Sequence, residues 1–245
     1  FDLFKSYVRM PDAQQRRIAE FAHTMGVPAA SHEIYPAARN GMDGTEHTTG
    51  TSRRGYSPKA ASLNRSYADV AQLFAASGMP ITPTLALSGG GLRELYSRVS
   101  GFATDPRFAL YPAWMRQTPG AGAAPSATAS AMTAGGAGAG GQMVMGLFRA
   151  GTRVVAGTDT PNAATLHGEL LSYVLAGMTP AEALRTATRD AAAQLGIDAG
   201  IIAPGKLADL AIVAGDPLTD NTATTREKWT IADGRVFEVS RLLAP

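Results

Sequence analysis

Short apolar, strand-like runs alternate with helical patterns up to residue 159 of this 245-residue chain. Alternation of that kind restricts the fold to βα units arranged around a parallel sheet. The strand-like runs lie at 2–8, 27–32, 42–47, 80–87 and 152–158. Between most of them stand helix signals: 11–24 is rich in Gln, Arg, Glu and Ala, 66–77 is closed by Gly78, and 143–150 is closed by Gly151. Three of the runs stop on a side chain that can bind metal, namely Val27-Pro-Ala-Ala-Ser-His32, Met42-Asp-Gly-Thr-Glu-His47 and Thr152-Arg-Val-Val-Ala-Gly-Thr-Asp159. In a barrel of parallel strands the C-terminal strand ends converge on one mouth, so these three residues can meet there.

After the fifth run the pattern changes. Thr179 is placed to act as an N-cap, with Pro180 at the first helical position and Glu182 three residues on, a capping box. Leu184, Ala187, Ala191 and Leu195 then share one face of a single helix that Gly196 ends in a left-handed turn. Pro204-Gly205 suits the centre of a type II turn leading into short strands at 207–213 and 228–239, which Asp-Pro and Asp-Gly turns separate. The expected division is therefore a barrel portion over 1–199 and a small β-structure over 200–245. Residues 119–142 are dominated by Gly, Ala, Ser and Thr. Such a stretch buries too little apolar surface to offset its ordering entropy, so a mobile excursion is expected, with a lid over the mouth as its functional reading.

Composition narrows the function. At 45% hydrophobic and 17% charged residues, the chain can build a proper core. A net charge of +2 with no run of like charges argues against nucleic acid and for a small-molecule or peptide substrate. Cysteine is absent, which excludes disulfides, thiolate zinc sites and a cysteine nucleophile. No apolar run approaches the roughly 20 residues that span a bilayer. The first residues, Phe-Asp-Leu-Phe-Lys, are neither a signal peptide nor a start with Met. The compartment, cytoplasmic or periplasmic, is left open.

Each candidate carries a definite chemistry. Neutral imidazoles of His32 and His47 suit Zn²⁺ or a related divalent ion. Asp159 follows the apolar core Val154-Val155-Ala156; a carboxylate there can bind metal and act as general base, or simply cap the turn at Pro161. Lys5 is one of only four lysines and lies in a strand-like run between Phe4 and Ser6-Tyr7-Val8. A lysine aimed into a barrel needs a partner. Tyr7 and Arg9 are candidates for holding a substrate carboxylate. Tyr35, three residues after His32, is expected at the mouth, and His167 either faces substrate or lies on a helix surface. His23 is read as structural. Glu46 precedes His47, and strict strand alternation assigns it to the helix-facing side.

Taken together, Ser31-His32-Glu33, Gly44-Thr-Glu-His47, Ala156-Gly-Thr-Asp159 and Gly200-Ile-Ile-Ala-Pro-Gly-Lys-Leu-Ala-Asp-Leu210 resemble the metal-dependent amidohydrolase superfamily, in particular its imidazolonepropionase-like and prolidase-like members. The resemblance implies a TIM-type (β/α)8 barrel of which this chain carries about strands four to eight, followed by part of an accessory β-domain. It implies that His32 and His47 are the ligands of the fifth and sixth strands and that Asp159 is the eighth-strand aspartate and general base. Asp2-Leu-Phe-Lys5-Ser-Tyr resembles the fourth-strand segment of relatives whose lysine is carboxylated and bridges two ions. A first-strand His-x-His pair belongs to the same pattern, and none of the four histidines is spaced that way. The function expected is hydrolysis of amide or peptide-like C–N bonds, in dipeptide or acyl-amino-acid substrates, with one or two divalent ions, zinc foremost. The partner expected is the N-terminal part of the barrel or a second copy. The alternative is an incomplete barrel that binds metal or a partner without catalysis.

Overall fold

The computed structural model describes residues 1–8, 10–48, 59, 66–88, 90–116 and 140–243. Its centre is a parallel sheet of β1 (Phe4–Ser6), β2 (Ala29–Ser31), β3 (Gly44–Glu46) and β4 (Ile81–Thr82), hydrogen-bonded in chain order. A fifth parallel segment joins β4 through the Ile81–Val154 bridge, with Ile81 N donating to Arg153 O at 3.0 Å and Val155 N donating to Ile81 O at 2.9 Å. The five runs expected from the sequence thus lie side by side. The run at 80–87 is shorter as a strand than its composition suggests, because Leu85–Ser88 turns into a 3-10 helix.

Helices fill the connections: α1 (Asp12–Thr24), α2 (Ile34–Asn40), α3 (Ala68–Ser77), α4 (Gly90–Arg98), α5 (Ala113–Arg116) and α6 (140–149). Gly41, Gly78 and Gly151 sit at φ of 77°, 67° and 92°, the left-handed turns that end α2, α3 and α6. Of the Gly/Ala-rich stretch expected at 119–142, residues up to 139 lie outside the described residues, and 140–142 already belong to α6.

Strand register assigns the two faces of the sheet. Ser6, Ser31, Thr45, Ile81 and Val154 pair in one row. That row faces the helices: Ser31 Oγ donates to Gln15 of α1, and Ile81 and Val154 belong to one core with Val70 and Phe74 of α3 and Met143, Val144 and Leu147 of α6. Burying each large apolar side chain there contributes ~1.5–3 kcal/mol. Lys5, Ala30 and Gly44 form the opposite row. Side chains repeat every second residue along a strand, so Tyr7, His32 and Glu46 continue that inner face.

The expected single helix after Thr179 is two. The capping box forms, but α8 (Pro180–Thr186) stops and α9 (Arg189–Leu195) begins after Thr188 at φ −123°, ψ −95°. The cause is competing donors: the N–H of Ala156, from the fifth strand segment, donates to Thr186 O, and Thr188 Oγ1 donates to Leu184 O. Gly196 ends α9 as expected, at φ 67°.

Helix α7 (Ala164–Ala176) crosses α4 at backbone contact distance. A Cβ built on Gly91 would meet Gly168 O at 1.9 Å, and one on Gly168 would meet Leu92 N at 2.7 Å. Overpacking there has no flexible side chain to absorb it. Gly168→Ala is expected to lower unfolding stability by ~1–3 kcal/mol or more, read from a urea titration with unchanged m-value.

The chain closes with an antiparallel sheet, β5 (Leu210–Val213), β6 (Glu227–Ala232) and β7 (Arg235–Glu238), and the short α10 (Val239–Leu242). Asp233 and Gly234, at φ 51° and 70°, form the β6–β7 hairpin turn. The Pro204-Gly205 turn forms too, with Gly205 at φ 84° and Lys206 N donating to Ala203 O at 3.2 Å. Among the described residues no helix is long and apolar enough to cross a membrane.

Candidate active site

Four of the expected residues meet on the inner face of the sheet: Lys5 from within β1, and His32, His47 and Asp159 from just past the ends of β2, β3 and the fifth strand segment. Lys5 Nζ lies 3.6 Å from Asp159 Oδ1, and His47 Nε2 lies 3.7 Å from Asp159 Oδ2. The rings of His32 and His47 are 4.8 Å apart, and Tyr7 sets its ring edgewise on His32 at 5.3 Å. Tyr7 is 68% exposed and the Asp159 side chain 47%, so the cluster opens to solvent while both imidazoles are largely buried.

Backbone strain marks the same place. The four non-glycine residues at positive φ among those described are His47 (64°), Thr84 (54°), Asp159 (51°) and the hairpin residue Asp233. A β-branched Thr in this region is a genuine outlier, and such conformations cost of order 1–3 kcal/mol each. For His47 the strain has a direct consequence. The left-handed turn breaks strand alternation, so His47 reaches the inner face although its neighbour Glu46 already lies there. The expectation that Glu46 faces the helices is therefore corrected. Glu46 hydrogen-bonds Thr82 and shares the field of Lys5 and Asp159; burial raises its carboxyl above the ordinary range against the pull of Lys5 and Lys59.

Burial, then the Lys5 charge, then His32 push His47 down to about 4, and burial followed by Lys5 lowers His32. Both rings are thus neutral at pH 7, the form in which imidazole is a ligand. Among the described residues, His32 Nδ1 is buried with no hydrogen-bond partner. His47 Nδ1 is engaged by Thr84 Oγ1 at 2.5 Å, which leaves Nε2 facing Asp159. Two neutral imidazoles and a carboxylate form a donor set that suits a divalent ion. Among the described residues, no group of three or more His, Cys, Asp and Glu is drawn together tightly enough to hold an ion by itself.

Other candidates lie elsewhere. Tyr35 OH donates to Asp69 of α3 at 2.6 Å, a helix-to-helix contact that raises the phenol to about 12. It is not a mouth residue, because α2 turns it into the helix layer. His167 also points away from the cluster. Its Nδ1 meets Thr224 Oγ1 at 3.2 Å and its Nε2 meets Glu227 at 3.1 Å, and Glu227 also pairs with Arg107, so His167 ties α7 to the C-terminal sheet. Arg9 lies outside the described residues. His23 is structural as expected: its Nε2 and the Ala29 N–H share Asp43 Oδ2, at 2.8 and 2.7 Å, ahead of β3.

Three supporting residues went unread in the sequence. Lys59, 2% exposed, donates to His32 O and Glu46 O at 2.6 Å each, joining the ends of β2 and β3. Thr84 holds His47. Glu169, fully buried, accepts from the N–H groups of Leu85 (3.0 Å) and Ala86 (2.5 Å) and from Tyr173 OH (2.6 Å). Burial outweighs these three donors and raises Glu169 to about 7. Because this folded-state value lies above the ordinary 4.5, its contribution to stability is full below pH 4.5 and is lost as pH rises through about 7. The loss is on the order of 3 kcal/mol. Urea midpoints across pH 4.5–7.5 check it: Glu169→Gln flattens this slope.

The amidohydrolase family profile matches residues 9–236. This chain belongs to the amidohydrolase family. Solved structures similar to this family member include a Xaa-Pro dipeptidase with methionine bound in its active site, at 22% identity and TM-score 0.60, covering 94% of this chain and 49% of that one. Ochratoxinase from A. niger matches at 19% identity and TM-score 0.65, covering 97% and 51%. A bottromycin amidohydrolase matches at 20% identity and TM-score 0.63, covering 99% and 57%. The chain spans about half the length of the structures it matches. Among curated proteins none matches its sequence.

Proposed function

We propose that the whole protein is a metal-dependent hydrolase of amide or peptide-like C–N bonds, acting on dipeptides or acylated amino acids. The observation that carries this is the meeting of Lys5, His32, His47 and Asp159 from four separate strand segments, in a chain of the amidohydrolase family.

His32 and His47 would hold the ion through neutral ring nitrogens, with Asp159 and Lys5 completing this chain's share. When bound, a divalent cation, zinc by donor preference, supplies Lewis acidity toward the scissile carbonyl and acidifies water. Asp159 takes the proton of the attacking water on a carboxylate oxygen and delivers it to the departing amine nitrogen. The water oxygen ends on the acyl carbon as the C–N bond breaks, so the carboxylate is regenerated. Lys5, if carboxylated by CO₂ at Nζ with loss of two protons from its ammonium, becomes an anionic oxygen donor suited to a pair of ions. Tyr7, beside His32 and exposed, lines the approach, and Arg9 pairs with a substrate carboxylate. The remaining barrel strands, with a His-x-His pair, come from the N-terminal part of the protein.

The test is a panel of dipeptides and N-acyl amino acids with the full-length protein, before and after chelation. Hydrolysis that chelation abolishes and zinc restores is expected. Hydrolysis indifferent to chelation contradicts the reading. Should the protein take up zinc stoichiometrically and hydrolyse nothing, it is the incomplete, metal-binding barrel instead.

A further inference from the structure

We propose that Thr84 is a positioning residue that fixes the tautomer and ring orientation of His47, leaving Nε2 as the bare nitrogen. Thr84 Oγ1 has one hydrogen, and it donates that hydrogen to Pro83 O at 2.8 Å. The same oxygen lies 2.5 Å from His47 Nδ1. With its own proton committed, the hydroxyl can only accept there, so Nδ1 carries the ring proton. Nε2 then turns its lone pair toward Asp159 Oδ2, 3.7 Å away. A histidine free in water favours the opposite tautomer, with the proton on Nε2, so the protein imposes the less common one.

Thr84 needs support to do this, because it sits at φ 54°, where a β-branched residue is strained. The support comes from behind. Glu169 on α7 binds the next two backbone N–H groups, Leu85 and Ala86, with one carboxylate oxygen each, and Tyr173 steadies Glu169 from one helical turn on. The strain is held by a buried carboxylate from a helix 83 and 84 residues away in sequence from the two N–H groups it binds. Groups that fix a ligand histidine through its second nitrogen are typically worth 10–100-fold in metal affinity.

This inference deepens the metal reading, but its central statement concerns the ring alone. The experiment is nitrogen-15 NMR of the histidine side chains in the metal-free full-length protein at neutral pH, with His47 assigned by His47→Asn. The parent is expected to show His47 protonated at Nδ1 and bare at Nε2. Thr84→Val, which keeps the shape and removes the hydroxyl, is expected to move the proton wholly or partly to Nε2, and Thr84→Ser to restore it. Unchanged His23 and His167 signals show that the variants fold. A parent ring protonated at Nε2 overturns the proposal even if Thr84→Val fails to fold, and so does an unaltered tautomer in folded Thr84→Val. Titration with zinc alone gives the second readout: affinity about 10–100-fold weaker in Thr84→Val and near parent in Thr84→Ser. If zinc binds none of these proteins while the tautomer responds as stated, the metal reading fails and the positioning role stands.

Discussion

Asp159→Asn in the full-length protein is expected to lower kcat by about 10²–10⁴-fold, the usual contribution of a general base. Asn keeps the shape and tolerates the left-handed backbone at φ 51° better than most residues. It cannot take a proton from water. The ion pair with Lys5 is half exposed, so its loss changes stability by only ~0–1 kcal/mol. Activity and stability therefore separate in this variant. Turnover retained within about threefold, with a hydrolysis assay in which the parent is active, removes Asp159 from the chemistry.

The largest stability effect is expected at Lys59. Its ammonium holds the carbonyls of His32 and Glu46, at the C-terminal ends of β2 and β3. Lys59→Met fills the space but leaves both acceptors without that donor. Each such buried group costs ~1–3 kcal/mol, so a loss of ~2–5 kcal/mol is expected in urea unfolding. The pH dependence gives a signature. Burial lowers Lys59 from 10.5 to about 7, so its contribution is full above pH 10.5 and is lost as pH falls through about 7. The parent gains stability through this group between about pH 7 and 10.5, and Lys59→Met lacks that gain. A variant as stable as the parent, with the same slope, means that Lys59 joins nothing.

These two residues show what a sequence discloses and what it withholds. The place of Asp159 beside Lys5 and His47 is legible because its information is local: an apolar strand core, then Gly157-Thr158, then a carboxylate where parallel strands bring their ends together. His32 and His47 were legible for the same reason, and the five strand-like runs appear side by side in the order expected. Lys59 carries no local signal. Its role depends on two backbone carbonyls from other segments, which no periodicity reports. Glu46 was misread because alternation is valid only while the backbone stays extended, and His47 leaves that region at φ 64°. Tyr35 was placed by its distance along the chain from His32, whereas α2 carries it to Asp69 on α3. The helix after Thr179 was given one continuous face because its composition permits one. The donor that breaks it, Ala156 N–H, reaches Thr186 O from another part of the fold. His167 met the same fate, drawn by Glu227 from the C-terminal sheet. What was missed is long-range partnership, and the closest a sequence comes to announcing it is a charged residue with no local reason to be buried.

The most direct test of the central claim is elemental analysis of metal per chain in the full-length protein, beside His32→Ala and Asp159→Asn. One or two equivalents of zinc or another divalent ion in the parent, falling in both variants, are expected, since these residues come from different strands and share one cluster. A parent without metal, or variants that keep the parent's content, would contradict the account.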